Sequence, residues 1–358
     1  MSPVLDRDMK GVMSTPKEAR SMPAIAPFQY LSSLPSKGVR HTIVEALRTW
    51  IDIPDDFLPD LLSIVGDIHN ISLMLDDVED GSPLRRSKPA AHSVFGVGQT
   101  VNSATFQLVE VIGRVAQVAG PLAQTIVLEE LKNMLVAQSL DLHWVQHATP
   151  PSSQEYLQMI DGKTGALFRL IARLMIAQQS PSSTTNPPSL DRLMILFGRF
   201  FQIRDDYANL AMDQYQDSKG FCEDLDEGKW SFILLHALAH ATPPTRMVLM
   251  NVLMQRHATG CAGRGHKELV LDIFRHETRS LAFTTEALWV LGQQIELEIQ
   301  ALERATLTAN PVLREMVRSL QVGLTPPDGY GFEEVGGGGG GAVGHGARIS
   351  EGVLGLSC

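Results

Sequence analysis

Two acidic clusters carry most of the chemistry that this sequence could perform. In the first, residues 73–80, four carboxylates fall within five positions at the end of an apolar helical run. Helical spacing puts Asp76 and Asp80 on one face, one turn apart. Carboxylates that close repel each other unless a cation lies between them, and Mg²⁺ usually binds through one or two carboxylates plus substrate phosphates. A solvated helix end would also give such a charge run.

A second cluster of the same design favours the metal-binding interpretation. Residues 201–210 again follow an apolar run, and Asp205 and Asn209 repeat the one-turn spacing. Two helices with such clusters at matching ends can face each other across a bundle and build a metal site in its core. Because no strand-period segment bounded by turn signals occurs, we predict an all-α fold, a single large helical bundle around a central cavity.

Both clusters and their surroundings resemble the trans-isoprenyl diphosphate synthases, most closely the fungal geranylgeranyl diphosphate synthases. The resemblance covers residues 28–322 and leaves a flexible N-terminal segment, 1–27, and a Gly-rich disordered tail, 323–358. It implies the isoprenoid synthase fold, a homo-oligomer, and head-to-tail condensation of isopentenyl diphosphate with dimethylallyl, geranyl or farnesyl diphosphate. It also implies Mg²⁺, up to three ions per site with substrate bound. The expected metal ligands are Asp76, Asp80 and Asp205, supported by Asp77 and Asp206.

A separate diphosphate site is indicated upstream of the first cluster. Lys37 and Arg40 lie in the first turns of a predicted helix, residues 40–50, where cations oppose the helix dipole unless an anion is bound with them. Two ordinary surface cations would fit the same spacing. The resemblance assigns this Lys-x-x-Arg to isopentenyl diphosphate, with His69 and Arg86 as its companions.

Residues for the allylic diphosphate are spread along the chain. Residues 161–165 place two glycines within a predicted helix, which costs stability unless a kink or a close approach requires them. A lysine and a hydroxyl at that kink suit a phosphate, although the GxxxxGK[ST] frame of a P-loop is absent. The set that the resemblance implies is Arg85, Lys163, Thr164, Gln202, Asn209, Lys219 and Lys229. Residues 138–144 also resemble a family segment, but we assign them no chemistry.

Product length is predicted from the positions about one turn before Asp76. Ile71 and Ser72 stand where short-chain members of the family have aromatic rings. Ser72 is too small to stop a growing tail at the farnesyl length, so we expect the C20 product, geranylgeranyl diphosphate. The alternative is that Ser72 only packs against a neighbouring helix.

Composition disfavours several other classes of protein. The net charge of −10 argues against nucleic acid and anionic membrane surfaces as partners. The three cysteines are too far apart to indicate a zinc site or a disulfide framework. Since no uninterrupted apolar run reaches about 18 residues, we predict no transmembrane segment and expect a cytoplasmic enzyme.

Two other functions share part of the pattern. A class I terpene cyclase has the first aspartate motif, but the residues after Asn209 do not continue the second metal motif of such cyclases. A catalytically silent partner subunit of a synthase would be expected to have degraded aspartate motifs, and both motifs are intact here.

Overall fold

The computed structural model describes residues 17–35, 38–180, 187–211, 221–259 and 262–321. Fourteen α-helices lie in these ranges, and the only sheet within them is a two-stranded hairpin. The predicted all-α fold is therefore confirmed.

The elements are named in chain order. The helices are α1 (Lys17–Ser33), α2 (Val39–Leu47), α3 (Leu58–Asp80), α4 (Ala91–Phe95), α5 (Val97–His147), α6 (Ser153–Lys163), α7 (Gly165–Ala177), α8 (Asp191–Ala211), α9 (Glu223–Glu227), α10 (Phe232–His240), α11 (Pro243–Thr259), α12 (Arg264–Asp272), α13 (Ser280–Thr306) and α14 (Pro311–Gln321). Strands β1 (Leu84–Arg85) and β2 (Lys88–Pro89) follow α3, and a π-helical turn (Ile273–Glu277) follows α12.

α8 is the central helix of the bundle. Its buried residues occur on every side, from Leu193 to Leu210, which is the pattern of a helix surrounded by other helices. α13 packs along it, and so does α7, while α3 packs mainly against α5. The two acidic clusters lie at the C-terminal ends of α3 and α8, as predicted.

α1 begins ahead of the boundary near Phe28 predicted from the sequence. It contains Pro23 and Pro27, and a proline inside a helix removes one backbone hydrogen bond. Pro27 lacks the N–H that would bond the Pro23 carbonyl, and the Gln99 side chain of α5 donates to that carbonyl instead. Packing against α5 thus stabilises a helix that its own sequence disfavours.

α5 is the one helix in the described part of the chain that is long and apolar enough to cross a membrane. It is broken in the middle, because Gly120 has φ 80° and ψ −179° and Pro121 follows it. A long, apolar helix is also common inside a helical bundle, and α5 packs against α1, α3, α6 and α7. Its length and composition are weak grounds for a membrane span.

The helix that carries Lys163 is bent where the sequence predicts a kink. The predicted capping box starts α6, since Ser152 Oγ accepts from the Glu155 N–H and Glu155 accepts from the Ser152 N–H. α6 then ends at Lys163, and α7 begins at Gly165.

Glycines allow two very close backbone contacts around this bend. A Cβ on Gly198 of α8 would lie 2.6 Å from Gly165 Cα, and a Cβ on Gly162 would lie 2.7 Å from Ala137 Cβ. Both distances are shorter than any side chain tolerates. The bend is therefore pressed against α8 on one side and α5 on the other.

Candidate active site

Lys163 and Thr164, adjacent residues at the α6–α7 bend, connect the two acidic clusters. Lys163 Nζ lies 3.3 Å from Asp76 Oδ1 of α3. Thr164 Oγ1 donates to Gln202 Oε1 of α8 at 2.5 Å. Gln202 Nε2 in turn donates to Asp206 Oδ1 at 2.9 Å. The close glycine packing therefore brings the ends of α3 and α8 to one site.

The first cluster is held together by cations from distant segments. Lys229 Nζ lies 3.0 Å from Asp80 Oδ2, and it also pairs with Glu227. Burial raises the pKa of the Asp80 carboxyl to about 6, because Lys229 offsets the loss of water only in part and Asp76 adds like charge. Asp80 is thus a poorly compensated carboxylate in the structure.

Arg85 reaches the same cluster from the β1–β2 hairpin. Its Nε donates to Asp77 Oδ1 at 2.8 Å, and its Nη2 lies 3.5 Å from Asp76 Oδ2. Asp77 is fully buried, so burial raises the pKa of this carboxyl while Arg85 opposes the change. Arg85, predicted to contact the allylic diphosphate, therefore stands at the edge of that site with Asp77 as its partner.

Arg86, the next residue of the hairpin, contacts Leu34 and Asn70 rather than the acidic cluster. Arg86 and Ser87 form its two-residue loop with φ of 54° and 64°, the left-handed conformations of a type I′ turn. The Arg86 guanidinium donates to the Leu34 carbonyl at 3.1 Å and to Asn70 Oδ1 at 3.4 Å. These bonds anchor a residue whose backbone conformation is costly for a side chain with a Cβ.

Arg86 converges with two of the residues predicted for isopentenyl diphosphate. Burial and the charge of Arg86 lower the pKa of Arg40 to about 10. Burial together with Arg40 and Arg86 holds the pKa of His69 well below its usual range, so His69 is neutral. No carboxylate in the described part of the chain offsets these effects on Arg40. Arg40 and Arg86 thus place positive charge near the neutral His69 of α3, and these three side chains are called the cationic pocket below.

In the second cluster, Asp206 has a structural role. It is buried and accepts from the Tyr156 hydroxyl at 2.8 Å and from the Phe232 N–H at 3.3 Å, in addition to Gln202. Burial raises the pKa of this carboxyl, and the neighbouring Asp205 adds to the effect. Asn209, one turn further on, is also buried, and its Oδ1 accepts from the Asp224 N–H at 3.3 Å.

Gln138 and Asp141, to which the sequence analysis assigned no chemistry, contact residues of the site. Gln138 Nε2 donates to Asp76 Oδ1 at 3.3 Å and to Glu79 Oε2 at 2.8 Å. Asp141 Oδ2 accepts from Lys163 Nζ at 2.7 Å. Spacing of three positions puts both polar side chains on one face of α5, and this was the available signal.

The residues predicted to set product length, Ile71 and Ser72, lie about one turn before Asp76 on α3. Ile71 is buried against Phe28 and Leu31. Ser72 is half-buried, and its hydroxyl donates to the His69 carbonyl one turn back at 2.8 Å. Lys37 and Lys219, the remaining predicted site residues, lie outside the described residues.

The carboxylates of α3 fit a magnesium ion that is bound together with a substrate. Among the described residues no three His, Cys, Asp or Glu side chains gather closely enough to hold an ion alone. Asp80 Oδ2 is buried and receives no well-directed hydrogen bond, although Lys229 lies beside it. Because Mg²⁺ at phosphate sites completes its shell with phosphate oxygens and water, such a sparse set of carboxylates is sufficient.

An all-α bundle with carboxylate clusters at two helix ends, surrounded by cations, defines a helical isoprenoid synthase. Residues 24–263 match the family model described as polyprenyl synthetase. The chain belongs to this family, whose members are prenyltransferases, and the resemblance found in the sequence is confirmed.

Similar proteins come from several fungi. The chain is 48% identical over 323 residues to geranylgeranyl pyrophosphate synthase A of Phomopsis amygdali, covering 90% of this chain and 82% of that protein. It is 44% identical to geranylgeranyl pyrophosphate synthase 3 of Zymoseptoria tritici, covering 83% of this chain and 81% of that protein. It is also 42% identical to the bifunctional sesterterpene synthase astC of Talaromyces wortmannii, but spans only 41% of that longer protein.

Proposed function

We propose that this prenyltransferase condenses isopentenyl diphosphate with allylic diphosphates to form geranylgeranyl diphosphate in a Mg²⁺-dependent reaction. The observation that carries the proposal is the junction at Lys163 and Thr164, which joins the two acidic clusters while a separate cationic pocket lies beside α3. Two diphosphates can thus be bound at once. The two geranylgeranyl pyrophosphate synthases among the similar proteins support this substrate pair.

The allylic diphosphate is placed between the clusters, where permanently charged donors can bind it. Although burial works against the charged form, Asp76 and Asp141 raise the pKa of Lys163, so this lysine stays protonated. Glu227 and Asp80 do the same for Lys229. Thr164, Gln202 and Arg85 border the same space, and Asn209 and Lys219 complete the predicted set.

Ionisation of the allylic substrate separates a carbocation from pyrophosphate. Mg²⁺ held by Asp76, Asp80 and Asp205 would supply positive charge at the departing group. The lysines contribute preorganised charge to the same oxygens, and preorganised donors at a developing charge are often the largest source of catalysis. Asp77 and Asp206 hold Arg85, Gln202 and Tyr156 in place around them.

Isopentenyl diphosphate is placed in the pocket of Arg40, His69 and Arg86, with Lys37 as the fourth predicted contact. Burial and, after it, the charges of neighbouring arginines lower the pKa of Arg40 and of His69, and a bound diphosphate would offset the repulsion between these cations. From this pocket the double bond of isopentenyl diphosphate attacks the allylic cation and forms the new carbon–carbon bond. The tertiary cation that results then loses a proton to the departing pyrophosphate, which forms the new double bond. The reaction needs no protein nucleophile.

Product sizing tests the proposal. The purified protein is incubated with isopentenyl diphosphate, Mg²⁺ and each allylic primer in turn, and the dephosphorylated products are separated by chain length. We expect mainly C20. Mainly C15, or the C25 chain suggested by the sesterterpene synthase, would contradict the assigned product.

Both acidic clusters should be necessary for this activity. Asp76→Ala and Asp205→Ala are each expected to lower kcat by at least about a hundredfold, because each removes charge that holds the leaving group. Circular dichroism should show unchanged helicity. Near-normal turnover in either variant would refute the two-cluster mechanism.

A further inference from the structure

The bridging segment, residues 221–229, carries one of the cations of the allylic site. It follows α8 in the chain and includes the short helix α9. Its last residue, Lys229, pairs with Asp80, and Glu227 accepts a hydrogen bond from Ser82 at the end of α3. The position of this segment therefore sets the position of a charge at the first acidic cluster.

The bridging segment is poorly stabilised by its own sequence. α9 contains only five residues, too few for a helix to persist without tertiary contacts. Its N-cap residue is Cys222, whose φ of 50° is unfavourable for a residue with a side chain. Contacts from other elements must therefore hold it.

Lys267 of α12 contacts the bridging segment at two residues through a single ammonium group. Its Nζ donates to the Phe221 carbonyl at 2.6 Å and to Asp226 Oδ2 at 2.5 Å. Asp226 Oδ1 also accepts from the Ala262 N–H at 2.9 Å, just before α12. The start and the middle of the bridging segment are thus fixed to the same end of α12.

The Lys267 ammonium is nearly withdrawn from water, with a side chain only 9% exposed. Burial of a lysine is unfavourable unless its charge is paired and its donors are used. Here the charge meets one carboxylate and one carbonyl, both in the bridging segment, and the ammonium lies 5.8 Å from the centre of the Phe221 ring. Within the described part of the chain, the hydrogen bonds and the ion pair of this cation are all made to that segment.

We propose that Lys267 is a positioning residue for the allylic diphosphate site. It holds the bridging segment in the arrangement that presents Lys229 to Asp80 and to the substrate, although Lys267 contacts neither. The inference rests on the proposed function, because it takes the role of Lys229 from there.

The test compares Lys267→Met with Arg264→Met. The first substitution keeps an unbranched stem and removes the ammonium. Arg264 lies on the same helix, 5.6 Å from the Phe221 ring, but its side chain is 83% exposed and its ion partner is Glu268 within α12. It is therefore a matched control that should leave activity unchanged.

Lys267→Met should raise the KM for geranyl diphosphate about tenfold if the arranged segment falls to about a tenth of the population. The KM for isopentenyl diphosphate should not change, because its pocket lies on α2, α3 and the hairpin. Lys267→Arg, which restores a charged donor, should recover part of the loss. An unchanged KM for geranyl diphosphate, or an equal rise in both KM values, would overturn the proposal.

Two further measurements cover the remaining outcomes. If Lys267→Met does not fold, Asp226→Asn is tested instead. The amide keeps an oxygen that can accept from the Ala262 N–H and removes the charge that pairs with Lys267. The KM for geranyl diphosphate should again rise while the KM for isopentenyl diphosphate stays unchanged. If the wild-type protein makes no prenyl product, the proposed function itself fails. In that case, amide hydrogen exchange of residues 221–229 still tests the role of Lys267. We expect faster exchange in Lys267→Met than in the wild type, and unchanged exchange in Arg264→Met. Equal exchange rates in the two variants would refute the role of Lys267.

Discussion

At the scale of single residues, Asp80 illustrates a conflict between stability and function. Its pKa is about 6, against 3.8 for the group in water. The folded state therefore binds a proton more tightly than the unfolded state, and stability falls as the pH rises from about 4 to about 6. At neutral pH the ionised carboxylate destabilises the fold, a cost that a bound cation would remove.

Asp80→Asn should therefore stabilise the metal-free protein while it abolishes turnover. In EDTA at pH 7 we expect the free energy of unfolding to rise by about 1–3 kcal/mol, following the size of the pKa shift. Added Mg²⁺ with pyrophosphate should stabilise the wild type but not the variant. Denaturant unfolding measures both effects, with Asp55→Asn, an 89% exposed carboxylate, as the control. A less stable Asp80→Asn protein would contradict this view of the site.

Ser72 is the residue at which product length can be tested. Among the described residues, its hydroxyl donates only to the His69 carbonyl of its own helix, so its replacement leaves no distant group there without a hydrogen-bond partner. Ser72→Phe should shift the main product from C20 to C15 by blocking the path of the tail. Overpacking is expected to cost about 1–3 kcal/mol, which the thermal unfolding midpoint would report.

The matched control for this variant is Ser63→Phe, at an exposed position on the same helix. It should leave the C20 product unchanged. A folded, active Ser72→Phe enzyme that still makes mainly C20 would show that the tail is stopped elsewhere.

At the scale of elements, the crossing of α7 and α8 fixes the distance between the diphosphate-binding bend and the second cluster. Gly198 and Gly165 approach so closely that a single methyl group at position 198 would lie 2.6 Å from backbone. Backbone cannot give way as a flexible side chain can. With alanine at position 198, α7 and α8 would have to move apart. The hydrogen bond from Thr164 to Gln202 lies close to this crossing and would be weakened by that movement.

Gly198→Ala should consequently lower both stability and kcat. We expect a loss of about 1–3 kcal/mol in the free energy of unfolding, typical of overpacking, and a reduced kcat in the fraction that remains folded. Gly113→Ala is the control, because a Cβ there meets nothing within 4 Å and alanine favours a helix by up to about 1 kcal/mol. Wild-type kcat and stability in Gly198→Ala would show that the crossing tolerates expansion.

At the scale of the whole molecule, α5 presents an apolar surface that the described chain leaves uncovered. Leu122, Leu135 and Val136 are 63%, 54% and 54% exposed. A groove of about 490 Å³ between the two halves of the helix is lined mostly by leucine, isoleucine and valine side chains. Contiguous apolar patches of this kind usually mark an interaction surface.

We expect a second copy of this chain to cover that surface, in keeping with the homo-oligomer that the family resemblance implies. The double variant Leu135→Lys, Val136→Lys should reduce the molar mass measured by light scattering to that of one chain, because two charges would be buried without partners. Met247→Lys, 66% exposed on α11, should leave the mass unchanged. An oligomer that survives the double variant would place the interface elsewhere.

Much of this protein could be predicted from the sequence because the relevant signals are local. The apolar periodicity of α3 and α8, the one-turn spacing of Asp76 and Asp80, and the capping box at Ser152 all depend on residues within a few positions of each other. These signals gave the helical fold, the two clusters and the bend at the glycines. The length and order of the motifs then indicated the family.

The tertiary structure alone decided which charged groups pair with one another. The sequence analysis gave Asp77 and Asp206 only a supporting role, without partners, and packing buries them as partners of Arg85 and Tyr156. The pairing of Asp141 with Lys163 and that of Lys267 with Asp226 could not be predicted from the sequence, because each joins residues more than 20 positions apart in the chain. Such contacts depend on how helices cross, and the energy of a buried charge depends on what surrounds it in space rather than on what precedes it in sequence.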